Sequence, residues 1–395
     1  MTSKERMHIA MRRGTPDRVP IMCQLSLGHY FLYSGIPPLD VWYTSEGFAE
    51  ALVRLQRRYQ FDGILINMPG RPPDWRRFVH RIEEKPDAKE TRVWWKNGNY
   101  SVVPWDDNVH YFLASGKRYF PTFAEIDPEK LWYVDPWCMT DITYPYSWDF
   151  AEPAAPGGDF FPEYHGETMK AVKRRVGDSV SVHLEIFSPF AQFLELLNYE
   201  YALMALLDDP RKCHAILERL TEGAIDLAGR HIQHGADAIL ISSAFAGGGL
   251  ISRENYEEFV LPYERRVIHE AQKAASEVPF YTHTCGAIGD RLDLMMATGT
   301  NGLDTLDPPP LGTVTLEEAV AQTKGKIFIK GNIDPVNTLL RGDEKVIEEA
   351  VAHRMRVAAP GGGYIISSAC SVAPATRPEL MEYFSQVARE QGRYS

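Results

Sequence analysis

Apolar residues gather in short runs along the chain, and amphipathic stretches separate them. Runs rich in β-branched residues stand at "RVPIMCQL" (18–25), "DGILINM" (62–68), "VSVHLEIF" (180–187), "DAILISS" (237–243), "VPFYTHT" (278–284), "GLDTLD" (302–307), "KIFIKGN" (326–332) and "GYIISS" (363–368). Most are nearly continuous rather than alternating, the pattern of parallel strands covered on both faces. Between them, 209–235, 252–275 and 343–359 repeat apolar positions at helical spacing. Ser252 and Asp343 suit helix N-caps, and Gly235 and Gly361 suit helix ends. Eight strands alternating with helices predict an α/β chain folded as a (β/α)8 TIM barrel. A doubly wound open sheet would want a Gly-rich phosphate turn after its first strand, and "SLGHYFLYSG" is not one.

Residues 70–165 break this rhythm and are crowded with Pro, Trp and Tyr. "TRVWWKNGNYSVVP" reads as a hairpin with Asn97-Gly98 at a type I′ turn. The segment follows the second strand, so on a barrel it emerges at the C-terminal mouth. It reads as an aromatic-rich inserted lid or substrate wall. The alternative is a surface subdomain or oligomer contact that only stabilises the barrel. The chain, 1–395, is then a single barrel domain with 70–165 inserted into it.

Composition narrows the function classes. With 44% hydrophobic and 24% charged residues over 395 positions, the chain is ordinarily globular. A net charge of −11 offers no basic face for phosphate, which argues against nucleic acid or an anionic membrane as partner. No apolar run reaches the roughly 18–20 residues of a membrane helix. The opening "MTSKERMHIAMRRGTPDR" lacks the apolar core of a secretion signal, so a cytoplasmic location is expected. Five cysteines at irregular spacing make no disulfide framework. Core packing is the default for Cys23, Cys138 and Cys213.

In such a barrel, chemistry gathers where strands end at the mouth. Those ends place Gln24, His29, Asn67, Glu185, Ser242, Ser243, His283, Cys285, Asp304, Asp307, Asn332, Asp334 and Cys370 together. His283 and Cys285 are two apart, hence on the same side of an extended strand. Cys370 follows the last strand and reaches the same mouth. One imidazole and two thiolates are a donor set that zinc takes, and three ligands leave a position open for chemistry. The bland reading is a core cysteine beside a hydrogen-bonded histidine. The fifth and eighth strands are also not neighbours, so their loops must lean over the mouth to share an ion. Glu185 is the candidate for a further ligand or general base. His29 lines the pocket or packs in the core. Asp334, in "GNIDP", orients a ligand or caps the next helix. The glycines of "AFAGGGLIS", Gly247, Gly248 and Gly249, let a cofactor approach the backbone or form a plain flexible turn.

"HTCG" after one strand, "KGNIDP" after a later one and "SSACSVAPATRPE" after the last resemble the uroporphyrinogen decarboxylase superfamily, specifically its zinc-dependent, corrinoid-linked methyltransferase branch. The resemblance covers about residues 180–390, and 70–165 falls outside it. That branch is marked by His-x-Cys and a distant Cys, matched by His283, Cys285 and Cys370. The resemblance implies Zn2+, a cobalamin carried by a separate corrinoid protein, and a small methylated substrate. A methyl group moves either from an aryl methyl ether to cob(I)alamin or from methylcobalamin to a thiol such as coenzyme M. A methylated amine or sulfide is a further candidate partner. The decarboxylase itself places arginines after its first strand to meet substrate carboxylates, and "QLSLGHY" contains none. The aromatic insertion favours demethylation of a methoxylated aromatic.

Overall fold

The computed structural model describes residues 1–114, 121–135, 156–158 and 160–394. Strand β1 (Gly63–Ile66) begins a parallel sheet, and the chain then leaves it for β2 (Val79–Lys85), β3 (Glu90–Trp95), β4 (Tyr100–Pro104) and β5 (His110–Phe112). It returns for β6 (Ser181–Phe187), β7 (Ala238–Ser242), β8 (Phe280–Thr284), β9 (Gly302–Thr305), β10 (Phe328–Ile333) and β11 (Tyr364–Ser368). The parallel strands pair in chain order, β1-β6-β7-β8-β9-β10-β11, and the excursion forms its own antiparallel sheet, β2-β3-β4-β5. Helices follow the parallel strands, so the curled sheet is TIM-barrel-like.

The expected first strand, 18–25, is not a regular strand. It makes isolated parallel bridges, Ile21 to Ile366 and Leu25 to Val372. Pro20 has no N–H to continue a ladder, although its carbonyl accepts from Ile366. On the other side the Asp62 N–H donates to the Ile21 carbonyl at 2.7 Å. The segment thus lies between β11 and the start of β1, where an eighth stave belongs. Asp62 secures it: its carboxylate accepts from the Ile21 N–H at 2.8 Å and pairs with Arg6 at 2.7 Å and Arg18 at 2.8 Å.

Strand periodicity explains the interior. Leu240, Tyr281, Phe328 and Ile365 form one apolar layer, which Met7, Ala10 and Met11 of the helix Ser3–Met11 join. Two residues further along the same strands come Ser242, His283, Lys330 and Ser367. A period of two puts these on the same inner face, one level nearer the mouth. The barrel is therefore closed by an apolar plug below and polar above.

Helix caps follow the expected chemistry, with one correction. Ser252 accepts from the Asn255 N–H and Asp343 from the Val346 N–H. The stretch 252–275 is two helices, Arg253–Phe259 and Leu261–Ala274. Pro262 lacks the N–H that would continue the first into the second.

The hairpin between β3 and β4 forms, but not with a type I′ turn. Of Asn97 and Gly98 only Gly98 takes positive φ, 91°. Trp95 donates to the Asn99 carbonyl, so three residues make the loop, and a left-handed third residue is its usual closure. Many insertion aromatics serve packing. Trp95 is buried beside Tyr43 and Trp75 and donates to Ser101 Oγ at 3.0 Å. Trp94 packs on Tyr100, and Trp105 lies against Thr91. Tyr111 accepts from the Asn99 amide. Trp132 donates to Asp226, and the Tyr133 hydroxyl accepts from the Phe187 N–H. Trp137, Tyr144 and Cys138 lie outside the described residues.

Candidate metal centre

His283 occupies the inner face at the end of β8, and Cys285 follows one residue beyond the strand. Cys370 follows β11, whose end is tied toward β10 by a hydrogen bond from the Ala369 N–H to the Ile333 carbonyl, 2.7 Å. Non-adjacent staves thus meet over the mouth. Cys285 Sγ stands 3.3 Å from His283 Nε2 and 3.8 Å from Cys370 Sγ. Ligand atoms of all three lie within 4.8 Å of one another, the one such group of three or more His, Cys, Asp or Glu among the described residues. Two thiolates bound tetrahedrally to zinc at about 2.3 Å would stand about 3.8 Å apart, and a thiolate and an imidazole nitrogen about 3.5 Å apart. The two distances from Cys285 match a single tetrahedral ion.

The surroundings orient these donors. His283 Nδ1 faces Asp304 Oδ2 at 3.2 Å, which turns Nε2 to the sulfurs. A carboxylate behind a ligating histidine is the usual support for a metal. Asp304 is itself held by Lys330 Nζ on Oδ1, 2.7 Å. Asp307 Oδ2 accepts from the Gly286 N–H at 2.6 Å and fixes the turn after Cys285.

The electrostatics fit a cation site. Burial opposes charge on His283, yet Asp304 and the Cys370 thiolate raise its pKa to about 10. Hydrogen bonding from Cys285 first, against burial and with help from His283, holds the Cys370 thiol well below its usual range. Cys285 is pushed up, because it donates to Cys370 and is itself buried. Burial opposes ionisation of Asp304, but Lys330 and His283 hold it at about 2. A divalent ion binding here would displace the protons on Cys285 and on His283 Nε2.

Comparison with known proteins gives the family and the fold. The family model described as uroporphyrinogen decarboxylase (URO-D) matches residues 152–391. The chain belongs to the URO-D family. Among curated relatives, the uroporphyrinogen decarboxylase of Trichodesmium erythraeum is 30% identical over 181 residues, 46% of this chain and 48% of that one. The enzyme of the same name from Synechococcus sp. (strain CC9605) is 25% identical over 230 residues, 57% of this chain and 62% of that one. The matches thus span about half the length of these relatives. Among solved structures, a methyltransferase from Methanosarcina mazei superposes with a TM-score of 0.68 over 99% of both chains, at 18% identity. At that identity the likeness is one of fold.

Within this URO-D-family barrel the other expected residues separate. On β6, Ser181, His183, Glu185 and Phe187 share a face. His183 bonds Tyr281 in the interior at 2.8 Å, so Glu185 faces inward, nearer the mouth. Burial raises Glu185 to about 7, although His283 and Ser242 oppose the shift. His29 is not placed for chemistry: Nδ1 contacts the Pro374 carbonyl at 3.2 Å and Nε2 the Tyr59 hydroxyl at 2.7 Å. Both ring nitrogens are occupied, and burial lowers its pKa to about 4. Asp334 is a helix cap, accepting from the Val336 and Asn337 N–H groups at 2.8 Å each. Gly247 and Gly248 pack on the loop after β8: the Gly248 N–H bonds the Ala287 carbonyl at 2.6 Å. A Cβ on Gly249 would meet nothing within 4 Å. Cys23 and Cys213 are buried free thiols, as expected. Among the described residues no helix is long and apolar enough to cross a membrane.

Sequence reasoning placed Asp304 at the mouth without its role and passed over Lys330. The available signal was Lys330 within the apolar run "IFIKGN" (327–332), at an inward period from Phe328.

Proposed function

We propose that this chain is a zinc-dependent methyltransferase that demethylates a methoxylated aromatic compound and passes the methyl group to the cob(I)alamin of a corrinoid protein. The observation that carries this reading is the meeting of His283, Cys285 and Cys370 at tetrahedral spacing over a barrel mouth. Zn2+ bound there supplies Lewis acidity, which an aryl ether needs because phenolate is a poor leaving group. His283, Cys285 and Cys370 hold the ion, and Asp304 keeps Nε2 directed toward it. Glu185, whose carboxyl burial raises to about 7, would give its proton to the departing ether oxygen, and the partner's cobalamin would supply the methyl acceptor. Residues 70–165 serve as the substrate's cover. The place of Asp106 supports this role: its carbonyl lies against Gly28, as does Pro374 of the loop after Cys370.

A second reading follows from the relatives' names, a lyase acting on a porphyrinogen. The missing arginines after the first stave weigh against it. The deciding experiment supplies the zinc-loaded protein with guaiacol-like ethers and cob(I)alamin and follows methylcobalamin by absorbance. Parallel arms contain methylcobalamin with thiols, and uroporphyrinogen. Ether-dependent methylcobalamin supports the reading. Turnover in a parallel arm alone replaces it with thiol methylation or decarboxylation.

A further inference from the structure

We infer that Lys330 is a positioning residue for the metal centre: it clamps Asp304 so that His283 can offer only Nε2 to the ion. The inference rests on the metal-binding reading above. Sheet register brings the three together. His283 is paired with Asp304 across β8 and β9, and Asp304 with Lys330 across β9 and β10. The side chains form a lateral chain around the inner wall, with Lys330 1% and Asp304 2% exposed. Lys330 Nζ reaches Asp304 Oδ1 at 2.7 Å and Ser367 Oγ at 3.1 Å, while Asp304 Oδ2 faces His283 Nδ1 at 3.2 Å.

Each carboxylate oxygen therefore has one task. Without Lys330, Oδ1 would be a buried charged acceptor lacking its partner, at high desolvation cost. The carboxylate could then swing away from the ring or take up a proton, and the imidazole would lose its fixed orientation. Charge counting agrees. Two thiolates, a neutral imidazole and Zn2+ sum to zero, so Asp304 needs its own counter-ion, and Lys330 is that ion. A lysine placed only to fill the core would not have to end on the carboxylate behind a ligand.

The test compares wild type, Lys330→Met and Ser367→Ala, each loaded with zinc and then with Co2+. Competition with a chromogenic chelator gives the zinc dissociation constant, and visible absorption reports cobalt geometry. Loss of a group supporting a metal ligand typically weakens binding about 10–100-fold, and that range is expected for Lys330→Met. Ser367→Ala, which keeps the ammonium, should fall between it and wild type. Thiolate-to-cobalt charge-transfer bands should persist while the d–d bands shift. Should Lys330→Met not fold, the smaller loss and d–d shift in Ser367→Ala carry the test. Wild-type affinity and spectrum in the folded variants, even with a lowered Tm, would overturn the inference and leave the metal centre standing. Failure of wild type itself to bind zinc would overturn the metal-binding reading and this inference with it.

Discussion

A Cβ built on Gly247 would lie 2.4 Å from the carbonyl oxygen of Cys285. The loop after β7 therefore packs directly on the backbone of Cys285, one of the three proposed metal ligands, and only glycine permits that approach. Gly247→Ala must displace either this loop or the backbone of Cys285. We expect about tenfold weaker zinc binding with unchanged far-ultraviolet circular dichroism. Gly249→Ala, where a Cβ meets nothing within 4 Å, should behave as wild type in the same chelator competition.

Glu185 provides a kinetic prediction. If its carboxyl protonates the leaving oxygen, Glu185→Gln should retain one zinc per chain but lose about 10²–10⁴-fold in methyl transfer. Wild-type activity should fall above pH about 7, as the carboxyl ionises. The variant's residual activity should be flat through that region. An unchanged pH profile would remove Glu185 from this role.

Asp62 carries the closure of the sheet through Arg6, Arg18 and the Ile21 N–H. Asp62→Ala leaves the largely buried Arg18 without its carboxylate partner, while Arg6 keeps Asp17. Breaking such a buried pair costs about 3–5 kcal/mol, which urea denaturation should show as a lower midpoint. Zinc stoichiometry of the folded variant should stay at wild type, because the cluster lies at the opposite end of the strands.

Glu264 predicts a pH dependence of stability. Burial raises its carboxyl from 4.5 to about 7, only partly countered by Ser243. Between these values the folded state binds more protons than the unfolded one. Stability therefore falls as pH rises from about 4.5 to about 7, by about 3 kcal/mol, and this contribution is flat beyond. Glu264→Gln should remove that slope, and the difference between the two proteins in urea titrations at several pH values isolates it.

Much of this architecture was legible because parallel strands announce themselves as apolar runs and helices as periodic ones. Seven of the eight expected strands form. The eighth, at 18–25, was legible in position but not in form, because Pro20 leaves bridges where a ladder was expected. That His283, Cys285 and Cys370 come together was readable from their spacing at strand ends. The pairing of Asp304 with Lys330 behind His283 was not, because it depends on register across three strands, which no local pattern encodes. His29 and Asp334 look like site residues in sequence. What decides them is whether their polar atoms are already engaged, and Tyr59 and the 335–340 helix engage them.

The measurement closest to the central claim is zinc content by mass spectrometry of metals, in gently purified wild type and in Cys370→Ser. The account predicts one zinc per wild-type chain and loss of most of it from the variant, with the fold retained by circular dichroism. Metal-free wild type after zinc supplementation, or an equal stoichiometry in Cys370→Ser, would contradict it.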